Sequence, residues 1–298
     1  MNSFTFIYII GIFIILNLFQ GFTNISLENQ LIYSSIFILL LGIPHGAIDH
    51  VLFFKKREMS QLKFYTIYLG LSLLFVALWH VWPITSLILF LLISAFHFGE
   101  SQFADISFKN IFRYLFYFFW GLCLLSTLMF YNVSELFEIT SYFDDTIILD
   151  KIYNKGKIGI FFYVTNIVTI ISICALVFYD KINKDRLFSE LFLLFLIHVT
   201  FYLFPFIIGF TLYFVALHSL KVMNDEFKFL KSEEENFSIY KFLKLLAPYS
   251  MLSIFGTALL LALSYYSYIS YSIPFLAIII ISVITLPHAI VMNIFYNE

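Results

Sequence analysis

All seven histidines in this chain lie inside long apolar stretches, where an imidazole is costly to bury, and four of them are candidates for shared chemistry. These four are His45 in GIPHGAIDH, His97 in SAFHFGES, His218 in ALHSLKVM and His288 in TLPHAIVM. Ionisable residues within membrane spans usually face the interior of a helix bundle and mark functional sites. Because imidazole binds iron, zinc, copper and nickel, the four histidines predict a metal centre. Four separate hydrogen-bonded interior histidines are the alternative interpretation.

The spacing of these histidines places them at a common depth. His45, His97 and His218 precede the lysines that follow their spans by 10, 12 and 10 residues, and His288 lies 10 residues before the end of the chain. All four predicted helices run in the same direction, and a helix rises 1.5 Å per residue. We therefore expect four imidazoles at one level, in the cytoplasmic half of the membrane, as a metal site in a bundle core requires.

Three further polar residues accompany the predicted ligands. Asp49 follows His45 by four residues, which places both on one helix face; it can orient a ligating imidazole by accepting its second N–H, or serve as a ligand itself. His50 lies about 140° round the helix from His45 and points elsewhere unless the helix is distorted near Pro44. Glu100 adds a polar group to the same cavity, one turn after His97.

The elements that position these residues are predicted from composition. The chain has 298 residues, of which 61% are hydrophobic and 12% charged, too few charges for a water-exposed surface. Apolar runs of about 20 residues recur, and without β-barrel turn signals they predict helices. We therefore predict an all-α polytopic membrane protein with residues 1–298 as one integral-membrane domain and about ten transmembrane helices (range eight to ten). The predicted spans are 4–22, 29–54, 62–82, 84–104, 111–131, 157–180, 188–206, 208–226, 243–267 and 272–296.

The distribution of basic residues predicts the orientation. Most of the 17 lysines and arginines lie in or beside the connections after spans two, four, six and eight. The positive-inside rule places these connections, and with them both termini, in the cytoplasm. Span one lacks a basic flank and a cleavage site, so we expect a retained helix. The predicted location is the plasma membrane, crossed several times, and no nucleic-acid partner is expected.

Several other residues are expected to be structural. His80 lies beside two tryptophans, so we expect it in an interfacial aromatic belt. We expect His198 to be an interior histidine whose hydrogen bonds are satisfied. Cys123 and Cys174 lie within spans and give no disulfide framework. The polar segment 223–241 is amphipathic, and it predicts either a helix along the cytoplasmic interface or a solvated loop.

Together, the motifs GIPHGAIDH, SAFHFGE, ALHS and LPH resemble the Brp/Blh family of membrane β-carotene 15,15′-dioxygenases, in order, from about residue 29 to 296. The resemblance implies an iron(II)-dependent enzyme that uses O₂ to cleave the central double bond of β-carotene, giving two all-trans retinal molecules for a rhodopsin. Its proposed iron ligands carry over onto His45, His97 and His218. A further family histidine falls on Val222, and Gln102 stands where some relatives have an aspartate. The depth argument makes His288 the fourth ligand.

The predicted chemistry agrees with such a role. A neutral site of histidines keeps iron ferrous and leaves positions open for O₂, and no acid, base or nucleophile is required. A hydrocarbon substrate would reach the site from the bilayer. The 40 phenylalanines and 20 tyrosines fit either lipid-facing packing or a substrate tunnel. The residues predicted to line that tunnel are Tyr202, Phe204, Phe210, Tyr213 and Phe214.

Three other functions are considered. A di-iron desaturase or hydroxylase requires HxxxH and HxxHH motifs, which are absent from the sequence. A transporter or channel could use His45, Asp49 and His97 as a proton or metal relay, but the odd-numbered spans offer few polar side chains. A membrane protein that binds carotenoid or retinal without cleaving it is the remaining alternative, and Val222 keeps it open.

Overall fold

The computed structural model describes residues 3–18, 25–106, 111–141, 144–151 and 154–297, and every regular element in these ranges is helical. The predicted all-α class is therefore confirmed. The α-helices are α1 (Ser3–Leu18), α2 (Leu27–Phe37), α3 (Asp49–Lys56), α4 (Gln61–Val81), α5 (Pro83–Phe103), α6 (Ile111–Tyr131), α7 (Val133–Ser141), α8 (Lys155–Phe178), α9 (Lys184–Leu203), α10 (Phe206–Tyr213), α11 (Leu220–Glu233), α12 (Ile239–Tyr265) and α13 (Ile273–Asn297).

Within the described part of the chain, nine helical segments are long and apolar enough to cross a membrane. They match the second to tenth predicted spans, so the polytopic membrane architecture is confirmed. The first predicted span, 4–22, corresponds to α1, whose 16 residues make it shorter than the other nine; positions 19–24 lie outside the described residues. The eighth span was predicted to end at residue 226, and this was wrong, because α11 continues to Glu233.

The helix boundaries follow from local chemistry. Pro83 is the first residue of α5 and Pro205 immediately precedes α10, positions that tolerate the missing proline N–H. Both breaks were predicted from the sequence. Five other helices begin after a residue whose side chain accepts a hydrogen bond from the backbone N–H three residues later, an arrangement that stabilises a helix start. These residues are Ser26, Ser60, Asn154, Asn183 and Ser238.

The membrane segment that carries His45 is not a continuous α-helix. After α2 it passes through a π-helical turn, Ile38–Gly42, and a 3₁₀ turn, Ile43–Gly46, before α3 begins at Asp49. Pro44 lies in the 3₁₀ turn, and a proline in a helix interior removes a hydrogen bond and crowds the preceding turn. The distortion that the sequence allowed near Pro44 is therefore present.

The helices group into two compact units, each made of three separate parts of the chain. Unit 1 comprises ranges 1–42, 95–139 and 153–221, and unit 2 comprises 43–94, 140–152 and 222–298. Each unit is described below by itself. The prediction of one integral-membrane domain stays a prediction.

In unit 1, the backbones of α5 and α6 touch. A Cβ atom added to Gly99 would lie 1.9 Å from the carbonyl oxygen of Tyr117, and one added to Gly121 would lie 1.8 Å from that of Ala95. Small residues permit this close approach of membrane helices. Because His97 lies between the two contacts on α5, its position along the helix pair is fixed from both sides.

Also in unit 1, α6 packs against α8 and α9, and α10 packs against α2 and α9. A π-helical turn, Phe214–Ser219, joins α10 to α11 and contacts α1. The Ser219 hydroxyl donates to the carbonyl oxygen of Leu41. This hydrogen bond satisfies the Leu41 carbonyl, which lies in the irregular turn before Pro44, where the regular helical hydrogen bonds are interrupted.

In unit 2, α13 packs against α3, α4 and α12. Pro287 interrupts the backbone hydrogen bonds of α13 one residue before His288, which leaves the carbonyl of Val283 without its helical donor. The Ser72 hydroxyl from α4 lies 3.4 Å from that carbonyl oxygen and 3.2 Å from the carbonyl oxygen of Tyr68, so its one hydrogen is shared between the two acceptors. An apolar cluster of buried residues forms the core of this unit: Ile48, Leu52, Phe53, Phe64, Val222, Leu230, Phe242, Leu246, Val291, Met292 and Phe295.

Candidate metal centre

Two of the four predicted ligands form a buried pair in unit 1. His97 comes from α5 and His218 from the π-helical turn, and their exposed fractions are 2% and 1%. The ring centroids lie 4.8 Å apart with the planes nearly perpendicular, at 80°. π-Helical turns occur frequently at functional sites, and here the turn carries a predicted ligand into the interior.

The protonation of His218 follows from its contact with Ser101. The Ser101 hydroxyl donates to the carbonyl oxygen of Phe98, 3.0 Å away, and also lies 3.0 Å from His218 Nδ1. A hydroxyl has one hydrogen to donate, so it accepts from Nδ1–H. The neutral imidazole then has its lone pair on Nε2, which is the nitrogen available as a ligand atom.

The other two predicted ligands form a pair in unit 2. His45 lies in the 3₁₀ turn and His288 on α13, with exposed fractions of 8% and 3%. Their ring centroids are 4.7 Å apart at 89°, and ligand nitrogens of the two rings lie within 4.8 Å of each other. Gly46 leaves room for this approach, because a Cβ there would lie 3.2 Å from His288 Nδ1.

Asp49 holds His288. Its Oδ1 accepts a hydrogen bond of 2.8 Å from His288 Nδ1, and its Oδ2 accepts one of 2.8 Å from the Tyr68 hydroxyl. The sequence placed Asp49 on the same face as His45 by assuming a regular helix. The 3₁₀ turn breaks that periodicity, and the carboxylate bonds to a histidine on another helix instead. The role expected for Asp49, orienting an imidazole, is the one the geometry gives it, with a different partner.

The donor set therefore fits a transition metal. All four histidines are buried, and in each unit a hydrogen bond to Nδ1 leaves the Nε2 lone pair of one imidazole for coordination. Polar partners of this kind orient metal-bound histidines and set their tautomer. Neutral imidazole suits iron, copper, zinc and nickel, so the donors alone do not choose among these metals.

The two other accompanying residues differ in their surroundings. Glu100 is fully buried on α5, one turn after His97. His50 instead lies against two tyrosines, with its ring centroid 4.5 Å from that of Tyr249 and 6.3 Å from that of Tyr65. His50 was predicted to point away from His45 unless the helix is distorted; the segment is distorted before Asp49, and the assignment of His50 to the site stays a prediction.

Three of the five predicted tunnel residues lie around His218. Phe214 stacks on its ring at 5.5 Å, Phe210 stacks on Phe214 at 5.6 Å, and Tyr213 lies 5.7 Å from Phe98. The Phe98 ring is itself 4.8 Å from that of His218. These rings give the pair in unit 1 an aromatic wall.

The other two predicted tunnel residues have different surroundings. Phe204 is buried immediately after the end of α9, beside Gly209 of α10. Tyr202 is 71% exposed and packs on Tyr131, where both line a groove with His198.

The two departures from the family pattern have local explanations. Val222 is fully buried within the apolar core of unit 2. Gln102 donates from Nε2 to Glu190 Oε2 at 3.0 Å, and Arg186 Nε contacts Glu190 Oε1 at 2.8 Å. The Gln102 amide thus donates to the buried Glu190 carboxylate, which already pairs with Arg186. An aspartate at position 102 would instead add a second negative charge beside Glu190.

The histidines expected to be structural have hydrogen-bond partners. His80 Nδ1 lies 2.8 Å from the Tyr271 hydroxyl at an exposed position. His198 Nε2 lies 2.9 Å from Asn166 Oδ1, and its Nδ1 lies 3.2 Å from the Tyr131 hydroxyl. Both nitrogens of His198 are thus engaged in a polar network, as expected for a satisfied interior histidine.

Sequence reasoning missed two polar residues of unit 2. Tyr68 bonds to Asp49, and no sequence spacing connects α4 with α3. Glu226 is fully buried on α11, although it was assigned to the polar segment 223–241. The four-residue spacing of Val222, Glu226 and Leu230 was the available signal, because residues so spaced share one helix face.

The sequence family described as beta-carotene 15,15'-dioxygenase matches residues 36–296. The chain belongs to this family. Membership of the beta-carotene 15,15'-dioxygenase family confirms the resemblance drawn from the histidine motifs. The matched range also includes all four predicted ligands and nearly all of the membrane-spanning part of the chain.

A curated member of the family, the beta-carotene 15,15'-dioxygenase of uncultured marine bacterium 66A03, is 38% identical to this chain over 71 residues. The match covers 22% of this chain and 26% of that relative, so it spans about a quarter of the relative's length. No solved structure matches the chain.

Proposed function

We propose that this protein is an iron(II)-dependent oxygenase that cleaves the central 15,15′ double bond of β-carotene. The family match over residues 36–296 carries this proposal. In the overall reaction, O₂ and β-carotene give two molecules of all-trans retinal. The 15,15′ carbon–carbon double bond is broken and each of its carbons gains one oxygen atom, so atoms and electrons balance without another reductant.

We assign one Fe²⁺ to His45, His97, His218 and His288 together. Their burial, the perpendicular pairs within each unit and the Nδ1 hydrogen bonds of His218 and His288 support this assignment. When bound, ferrous iron with neutral histidine ligands supplies an open coordination position at which O₂ can react. Hydrogen bonds to Nδ1 hold His218 and His288 in one tautomer, and we propose Asp49, His50 and Glu100 as outer or pocket residues of the site.

The substrate is a hydrocarbon, so its position depends on shape alone. Phe98, Phe210 and Phe214 form an aromatic wall beside His218, and aromatic faces pack well against a flat conjugated chain. We propose that this wall, with Tyr213, guides one half of β-carotene and so selects which double bond is cleaved. Both substrate and product dissolve in the bilayer, and we propose that the retinal supplies a rhodopsin in the plasma membrane.

The test is expression of the full chain in cells that make β-carotene, followed by chromatography for retinal and metal analysis of the purified protein. We expect loss of β-carotene, appearance of retinal, and about one iron per chain. The matched control is His198→Ala, which removes a membrane histidine outside both pairs and leaves retinal formation intact. Bound carotenoid without cleavage favours the alternative of a binding protein, whereas absence of both cleavage and iron refutes the enzyme. A metal flux across vesicles favours the transporter.

A further inference from the structure

Glu226 is a carboxylic side chain buried in the apolar part of unit 2. Its exposed fraction is 0%, and neither carboxylate oxygen has a hydrogen-bond partner among the described residues. Val222 and Leu230, one turn before and one turn after it on α11, both belong to the apolar core of the unit. An isolated charge in such a place is very costly, so the position requires a partner of opposite charge or a role that outweighs the cost.

The neighbours of Glu226 on α11 pack beside the residues that flank Asp49 and His288. Val222 and Leu230 share one buried cluster with Ile48, which precedes Asp49, and with Met292, one turn after His288. Asp49 is the residue that accepts a hydrogen bond from His288, and His288 is paired with His45. Glu226 therefore lies on the face of α11 that packs towards Asp49 and His288, and among the described residues no lysine or arginine forms an ion pair with it.

The charge of the proposed centre explains this placement. Four neutral imidazoles add nothing to the two positive charges of Fe²⁺, and a bound cation is the largest local charge in such a site. Asp49 balances one of them. We propose that Glu226 supplies the second compensating negative charge, so that its partner is the metal ion rather than another side chain. This inference rests on the proposed function and adds to it a residue outside the histidine set.

Two roles for Glu226, as a compensating charge or as a structural residue, lead to different expectations for the metal-free protein. Replacing an unpaired buried carboxylate by a neutral amide removes a desolvation cost, so the apo-protein is expected to keep or raise its unfolding temperature. Metal affinity is expected to fall roughly tenfold or more, the range seen when outer partners of metal sites are removed. Because the effect comes from charge, Glu226→Asp is expected to retain affinity within about threefold.

The experiment uses the full chain in detergent, stripped with a chelator and titrated with Co²⁺ alone. Co²⁺ affinity and the unfolding temperature with and without Co²⁺ are measured for the wild type, Glu226→Gln, Glu226→Asp and the control Asp225→Asn. We expect Glu226→Gln to bind Co²⁺ at least about tenfold more weakly, with a smaller Co²⁺-induced rise in unfolding temperature. Asp225→Asn removes the adjacent, partly exposed charge and is expected to bind like the wild type.

Two outcomes overturn the inference. One is wild-type Co²⁺ affinity in Glu226→Gln; the other is a lowered unfolding temperature of its apo-protein together with lost binding, which assigns Glu226 a structural role. A wild-type chain that binds no Co²⁺ contradicts the proposed metal centre itself and is thus distinguished from both.

Discussion

His288 Nδ1 and Asp49 Oδ1 lie 2.8 Å apart and join two helices whose residues are 239 positions apart in the sequence. A carboxylate can only accept, so Nδ1 carries the hydrogen and Nε2 carries the lone pair. The bond therefore selects the form of His288 that can bind a metal. We therefore expect Asp49, and not only the histidines, to affect metal affinity.

Replacement Asp49→Asn is expected to lower Co²⁺ affinity by about 10- to 100-fold, because the amide keeps an acceptor oxygen but loses the charge that orients His288. Equilibrium titration of the stripped protein measures this. Asp145→Asn is the matched control: its carboxylate bonds to the backbone N–H and hydroxyl of Ser272 at the start of α13. Equal affinities for the Asp49 and Asp145 variants would contradict the assigned role.

Replacement Ser101→Ala is expected to weaken metal binding roughly tenfold. The alanine removes the acceptor for His218 Nδ1–H, so the imidazole can turn and adopt either tautomer. Ser101→Thr retains a hydroxyl and is expected to restore most of the affinity. If the threonine variant binds no better than the alanine variant, the hydroxyl is not what holds His218.

Replacement His288→Ala is expected to abolish iron binding as fully as His97→Ala, because each removes one ligand from a four-histidine site. Iron is measured in the purified proteins by elemental analysis. The control is His198→Ala, whose native side chain is engaged by Tyr131 and Asn166. An iron-replete and active His288→Ala protein refutes the fourth ligand.

Replacement Val222→His introduces the histidine that the family resemblance implies at this position, and it is expected to destabilise this protein without raising its iron content. Val222 has an exposed fraction of 0% in an apolar core, and burying a poorly partnered imidazole costs about 1–3 kcal/mol. Thermal unfolding and iron analysis are the measurements. Val222→Ala changes volume without adding a polar group and separates packing from ligation. A gain of bound iron in Val222→His shows instead that the position is open to a ligand.

Replacement Gly99→Ala or Gly121→Ala is expected to lower the yield of folded protein and its metal affinity together. The new methyl group would lie within 2 Å of a backbone oxygen of the neighbouring helix, so α5 and α6 must separate and His97 moves with α5. Such overpacking costs about 1–3 kcal/mol or more. Gly70→Ala is the control, since nothing lies within 4 Å of its added Cβ. We expect this variant to have a free energy of unfolding about 0.5–1 kcal/mol higher than that of the wild type. An equal change in the free energy of unfolding of all three variants would contradict the close contact between α5 and α6.

The sequence predicted what depends on local pattern and missed what depends on contacts across the fold. Span positions followed from apolar length, and the breaks at Pro83 and Pro205 followed from proline chemistry. The hydrogen bond between Asp49 and His288 could not be predicted in this way, because the 3₁₀ turn that contains His45 shifts the helical periodicity. Glu226 was assigned to a polar connection, since a charged residue near lysines and other acids is normally solvated. Its burial depends on α11 continuing to Glu233 and packing one face into unit 2.

The glycine contacts between α5 and α6 also bear on how the chain is made. These helices are consecutive, and their association through Gly99 and Gly121 requires no later segment of the chain. Closely packed small residues can hold such a helical hairpin together within the bilayer. The hairpin can therefore assemble during translation, once α6 has left the translocon. His97 is then fixed at its depth while His218 and His288 are still to be synthesised, so the order of synthesis makes His97 the reference to which the later histidines are added.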